Sequence, residues 1–383
     1  MKKLFIKNLL YVLIFFPLFY SCSVQQKMDG EIKLQVAGLN SGVLPSVDEL
    51  FSSIQVIPLE TMDSCLLMNV EKVVPCKNGY FVFDNLKPAL YQFDGTGKFV
   101  REIGGKGNGP GEFQLLADFM IDEKKDRITL LSSYGFLLEY DWDGNYIEKI
   151  ILPVKPNYYS MVLLNNGQNL ALWSCVNMEE NGITIVDYYS HAYVNGYWNN
   201  DRILDMGLMH PFYSYNKNVY FGSAYQPRVY RLESNSLEYE YSWDFGTEGI
   251  DDKLLTSYAA IKKIGKRNRK LLQDLNDGIL PYSMECHAQN SRYYYVALRS
   301  GVGMHRPFKN VFYEKQTGRS FVFEKMKEGI SVQTLFLAED YLLSVLPYEE
   351  VSLYKGLLDE DEYAKISDMK EDDNMCLVKF VLK

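Results

Sequence analysis

Histidine is scarce in this chain: His191, His210, His287 and His305 are the only four, and none stands in an H-E-x-x-H or similar arrangement. A helix-borne zinc hydrolase site, which needs two such ligands one turn apart, therefore has no local signature. No two cysteines stand in Cys-x-x-C spacing, so the paired-thiolate zinc modules are excluded. The acidic stretches Asp359 to Glu362 and Glu371 to Asp373 lack the regular Asp-x-Asp-x-Asp-Gly order of a calcium loop and read as solvated loops. Positive charge is also in deficit, with 40 Lys and Arg against 49 Asp and Glu. Nucleic acid is excluded as a partner on that ground, because phosphate binding needs a basic face. No cofactor motif and no catalytic triad order can be assigned, and no catalytic or metal-binding residue is expected.

What is present begins at the N-terminus. Lys2, Lys3 and Lys7 precede an apolar stretch from Leu9 to Phe19 that is broken by Pro17. A bilayer-spanning helix takes about 20 apolar residues; a short apolar core behind positive charge reads as a signal peptide over residues 1–21. Phe19-Tyr20-Ser21-Cys22 resembles a bacterial lipoprotein box, which implies lipid attachment at Cys22 and a tether within 22–50. Residues 1–21 carry three lysines and no acid, so the mature net charge becomes −12. The membrane would then be reached through the lipid anchor only. The remaining cysteines are odd in number and read as buried thiols, with Cys65 and Cys76 a candidate for a single bridge.

The rest of the chain is organised by a repeat. Tyr91 to Val100 and Leu138 to Ile147 are both alternating strands around an Asp/Gly turn, and Phe93 and Tyr140 stand 47 positions apart. Glycine at the tip takes the positive φ that a tight hairpin requires. Further hairpins turn at Ser234-Asn235 and Thr317-Gly318, and a weaker one near Asn195-Gly196. Two more strand-like runs precede each clear hairpin. Four antiparallel strands per 40–50 residues is the blade of a β-propeller. Residues 51–383 divide into six such blades, at about 66–104, 115–153, 158–205, 208–246, 279–327 and 330–383. The strands Ile54 to Leu59 and Cys376 to Leu382 would share the last blade and close the ring without leaving an edge. The fold class is therefore all-β, a six-bladed β-propeller, with a helical insertion at 250–277 between blades four and five. In that insertion Leu254, Leu255, Tyr258 and Ile261 recur at helical spacing, Gly265 stops or bends the first helix, and Leu271, Leu272 and Leu275 mark a second apolar face. The basic residues Lys262 to Lys270 read as its solvated face.

Ile103 to Phe113 is dense in glycine, but glycine follows Lys106 and no helix begins there, so it is neither a P-loop nor a dinucleotide loop. It reads as the crossover from blade one to blade two. The run Gly105-x-Gly-x-Gly-Pro-Gly-Glu-Phe113 after the Phe93 to Phe99 hairpin resembles the NHL-type repeat. Together with the start of the chain and Val56-Ile57-Pro58-Leu59-Glu60-Thr61, it makes the sequence similar to six-bladed-propeller lipoproteins of Bacteroides-type bacteria. That resemblance implies the fold and a place in the cell envelope, periplasmic or surface-exposed, but no single activity.

A propeller presents a rigid funnel rimmed by loops, and the leading expectation is a binding or scaffold protein whose ligand is a glycan, a peptide or an envelope protein. The candidate ligand-binding residues are Tyr225, Arg228, Arg299, His305 and Arg306, chosen for cationic and aromatic character near strand ends of blades four and five. The alternative is a metal-dependent lyase or hydrolase acting in the channel, where His210, His287 and His305 would have to converge. Thirty tyrosines serve either as binding platforms or, since tyrosine suits strands, as filling between blades.

Overall fold

A computed structural model of the chain describes residues 31–153, 157–174, 181–199, 210–301 and 308–383. The expectations for the signal peptide, Cys22, Cys175, His305 and Arg306 fall outside these residues.

The first elements are β1 (Ile32–Gln35), the single-turn α1 (Val47–Leu50) and β2 (Phe51–Pro58). Blade one is β3 (Lys72–Cys76), β4 (Gly79–Asp84), β5 (Ala89–Asp94) and β6 (Phe99–Ile103). Two short strands, β7 (Gly105–Lys106) and β8 (Glu112–Phe113), then pair in parallel within the glycine-rich crossover. Blade two is β9 (Leu116–Asp122), β10 (Arg127–Ser132), β11 (Phe136–Asp141) and β12 (Tyr146–Ile151). Blade three is β13 (Ser160–Leu163), β14 (Asn169–Trp173), β15 (Asn181–Asp187) and β16 (Tyr193–Asn199). Blade four is β17 (Phe212–Tyr215), β18 (Asn218–Gly222), β19 (Arg228–Leu232) and β20 (Leu237–Asp244), and it is followed by α2 (Asp252–Ala259) and α3 (Ile264–Asn276). Blade five is β21 (Ser283–Gln289), β22 (Tyr293–Arg299), β23 (Phe308–Glu314) and β24 (Ser320–Phe323). Blade six is β25 (Phe336–Leu337), β26 (Tyr341–Leu346) and β27 (Cys376–Leu382), with α4 (Glu360–Ala364) between the last two. Its fourth strand is β2, which pairs antiparallel with β27 from Phe51↔Leu382 to Pro58↔Cys376.

The repeated hairpin has a common construction. Asp94 accepts hydrogen bonds from the amides of Thr96 and Lys98, and Asp141 from that of Asn145, so each aspartate folds its own turn. Gly97 and Gly144 supply the positive φ that closes it. The register of the third and fourth strands slips by one residue just before both turns, and blades three and four carry the same slip. Alternation then places one face of each blade against its neighbour. A buried apolar cluster fills every interface: Tyr91 and Leu377 lie between blades six and one, Phe81 and Leu138 between one and two, and Leu131 and Leu172 between two and three. Trp173 and Phe221 fill the space between blades three and four, Tyr241 and Val296 between four and five, and Phe312 and Val378 between five and six.

The N-terminal segment forms a belt around the outside. β1 adds to blade four as a fifth strand, parallel to β20 from Ile32↔Tyr241 to Gln35↔Asp244. The chain then crosses the outer edge of blade five, where Lys309 Nζ donates to Asn40 Oδ1 at 2.6 Å and the Lys327 amide to the Pro45 carbonyl at 2.9 Å. It reaches blade six through α1 and β2.

Several local expectations are corrected. The break in the insertion lies at residues 260–263, before α3, and Gly265 sits inside the first turn of that helix. Asn195-Gly196 is not a turn: β16 runs straight through it, and the hairpin turns at residues 188–192. Gly196 is needed because the Asn181 side chain lies over it, only 2.0 Å from where a Cβ would stand. Cys65 and Cys76 are free thiols, as are Cys286 and Cys376. The acidic run at 359–362 is a capped helix start rather than a solvated loop: the Asp359 carboxylate accepts from the Glu362 amide, and Glu362 in turn accepts from the Val56 amide of β2.

Candidate functional site

Every blade is entered on its inner strand, so the six inner strands run in one direction and their first residues ring one mouth of the channel. This upper mouth is where charge collects. Asp118 of β9 is fully buried and is the centre of the group. Its carboxylate accepts from Lys72 Nζ of blade one at 2.7 Å, and from the Ser160 hydroxyl and Met161 amide of blade three, each at 2.9 Å. His210, at the approach to blade four, places Nδ1 3.9 Å from Asp118 and Nε2 3.6 Å from Glu71. One carboxylate thus ties three blades together and faces a fourth.

The electrostatics follow from burial and pairing. Burial pushes the Asp118 carboxyl up, but Lys72 and His210 outweigh it and hold the group below the usual carboxylate range. His210 is pushed down by burial more than its carboxylate neighbours raise it. Its Nδ1 is buried and has no hydrogen-bond partner among the described residues.

Apolar side chains surround this charged centre on the same face. Leu66 and Met68 lie in the loop leading to β3, Leu86 in the loop between β4 and β5, and Leu115 at the end of the crossover, all more than 40% exposed. The first two loops are laced together: Asp84 accepts from the amides of Met68, Leu86 and Lys87. Tyr348 and Leu353 stand exposed in the excursion between β26 and β27 of the adjacent blade six.

The residues expected from sequence belong to this same end of the molecule, because the β18–β19 and β22–β23 loops and the helical insertion all join strand ends there. They are not brought to the charged cluster. Tyr225 is 2% exposed and packs with Leu255, Tyr258, Leu271 and Leu275, so it anchors the insertion rather than offering its ring to a ligand. Arg228 is exposed at the start of β19. Arg299 closes β22 with its guanidinium 4.3 Å over the Phe308 ring. His287 is buried with its imidazole against Gly222, where a Cβ would stand 2.3 Å from the ring. It faces blade four, not the channel. Among the described residues no group of three or more His, Cys, Asp and Glu is set to hold a metal ion. The cluster itself was missed because Glu71, Lys72, Asp118, Ser160 and His210 span 140 positions. The one local hint is Asp118, a carboxylate inside the apolar run Leu115 to Ile121.

Six four-stranded blades around a channel, blade four extended by β1 and the last completed by β2 and β27 from the two ends of the ring, define a six-bladed β-propeller. Over residues 32–380 the chain matches, and belongs to, the family described as a domain of unknown function, DUF4934. No curated protein matches it. Among solved structures it is similar to a Bacteroides fragilis protein assigned as exported, with 20% identity over 92% of this chain and 99% of that one and a TM-score of 0.74. Weaker likenesses include BamB of Moraxella catarrhalis, at 14% identity over 76% and 70% of the two chains with a TM-score of 0.39. A Bacteroides fragilis protein assigned as a 6-phosphogluconolactonase has 10% identity over 79% and 90%, with a TM-score of 0.41.

Proposed function

We propose that the chain is an exported, lipid-anchored propeller of the cell envelope that binds a protein or peptide partner across its upper mouth. The observation that carries this reading is the pairing of a centre of charged and polar groups, Asp118, Lys72, Glu71 and His210, with exposed Leu66, Met68, Leu86 and Leu115 around it. Exposed apolar side chains around polar groups mark interaction surfaces. The likeness to an exported protein and the lipoprotein-like start support the envelope location. Nothing among the described residues favours the metal-dependent lyase or hydrolase.

Photo-crosslinking groups placed at Met68 and at Tyr193, which lies near the opposite face, test the reading in intact cells. The expected result is a discrete crosslinked partner from position 68 that disappears when Leu86→Glu is added, with none from position 193. Crosslinks from position 193 alone, or none at all, would overturn it. Acyl labelling lost in Cys22→Ser checks the anchor.

A further inference from the structure

The lower half of the interface between blades two and three departs from the packing of the other interfaces. Its upper half is apolar, with Leu131, Leu137, Ile150, Leu170 and Leu172 buried together. Two residues further down the same face of the same strands stand Thr129 and Glu139, 1% and 8% exposed. Here the two blades part to form an open groove of about 520 Å³ whose lining includes Arg127, Glu139, Glu148, Lys125, Tyr188 and Tyr189.

The groove is held in shape by contacts across the two blades. The Tyr188 hydroxyl of blade three lies between Thr129 and the Glu139 carboxylate of blade two. Lys125 Nζ donates to the Tyr189 hydroxyl at 2.6 Å and lies over both tyrosine rings. Those rings meet edge to face, 5.5 Å apart. Polar groups are left over within this frame. The Arg127 guanidinium has one hydrogen-bond partner among the described residues, the Asp126 carbonyl at 3.3 Å, although Asp122 and Asp141 are its cross-strand neighbours. Glu139 receives one hydrogen bond, on one of its two oxygens, and Glu148 none among the described residues. The second Glu139 oxygen opens onto the groove, where it is free to accept from a ligand.

We propose that this groove binds a neutral oligosaccharide. A sugar hydroxyl both donates and accepts, so adjacent hydroxyls can engage a carboxylate and a guanidinium at once, and Glu139, Glu148 and Arg127 line the groove with such groups. Tyr189, 60% exposed and held by Lys125, offers a flat apolar face for a pyranose ring. Acids and bases are interspersed along the wall, which leaves little net field to select a strongly charged ligand. An open groove of this size accommodates several sugar units, whereas a closed pocket would take one.

Calorimetric titration of the folded protein tests the proposal with maltohexaose, cellohexaose, mannohexaose and hexa-N-acetylchitohexaose as neutral probes, and hexagalacturonate and trilysine as charged ones. At least one neutral probe is expected to bind. Arg127→Ala and Tyr189→Ala are each expected to weaken it about tenfold or more, while Tyr134→Ala, an exposed tyrosine at the upper mouth, leaves it unchanged. Both groove residues are partly or largely exposed, and an unchanged melting temperature confirms that the variants fold. Failure of all four neutral probes at millimolar concentration, binding of the charged probes alone, or neutral binding indifferent to both groove variants would overturn the proposal. None of these outcomes bears on the upper mouth, which lies at the other end of the strands.

Discussion

Asp118 pays for its burial with Lys72, and removing either partner leaves the other without its counter-charge. Breaking a buried ion pair costs about 3–5 kcal/mol; because Lys72 keeps some access to water, the loss for Asp118→Asn is expected near the low end, read as a lower denaturant midpoint. The folded carboxyl titrates below its unfolded value of about 3.9, so its contribution is complete above that pH and is lost as pH falls through the folded value. His287 acts in a higher window. Burial lowers its pKa to about 4, against about 6.5 in the unfolded chain. The unfolded state therefore takes up the proton first, and stability falls by about 3 kcal/mol as pH drops from about 6.5 to about 4. His287→Gln is expected to flatten that part of a melting-temperature profile against pH. At this scale the sequence was least legible. Arg228 and Arg299 were chosen for their charge, yet burial decides what a side chain does, and it comes from neighbours many residues away. Tyr225 shows the point, since what covers it is an insertion that begins more than 20 residues later.

Elements were more legible where one residue fixes a backbone conformation. The Asp-x-x-Gly turns stood out because both the aspartate and the glycine have a single local job. The crossover did so for the same reason. Gly104 has φ +72°, and a Cβ there would lie 2.6 Å from the Tyr140 hydroxyl, which donates to the Gly111 carbonyl. Gly104→Ala is expected to cost about 2 kcal/mol, measurable by urea titration, whereas an alanine at Gly105, where a Cβ meets nothing within 4 Å, should be nearly silent. Asn195-Gly196 misled because the same dipeptide also suits a strand that must let a side chain pass over it. The second helix was correctly expected but its start was not: its apolar face reads from Leu271 and Leu275, and the residues before it obey no such period.

For the whole molecule, the ring depends on its seam. β27 is hydrogen-bonded on both sides, to β26 and to β2, so ending the chain after Met375 is expected to abolish the cooperative transition, seen as loss of the folded elution volume and of a sigmoidal melt. The belt is a smaller term. Leu34, Val36 and Leu39 are buried against blades four and five, and starting the chain at Ser46 should lower stability by roughly 5 kcal/mol at about 1.5–3 kcal/mol per side chain while leaving the six blades in place. The fold was readable from sequence at this scale because closure needs matching strands at both ends, and both were present as short alternating runs.

The seam also sets an order of events. β2 lies near the beginning of the ring and cannot find its mate until Cys376 to Leu382 has been made and delivered. Up to that point in synthesis, the polypeptide lacks the piece that completes it and stays an unclosed thread. Locking happens only once Cys376 to Leu382 is free to take its place beside β2.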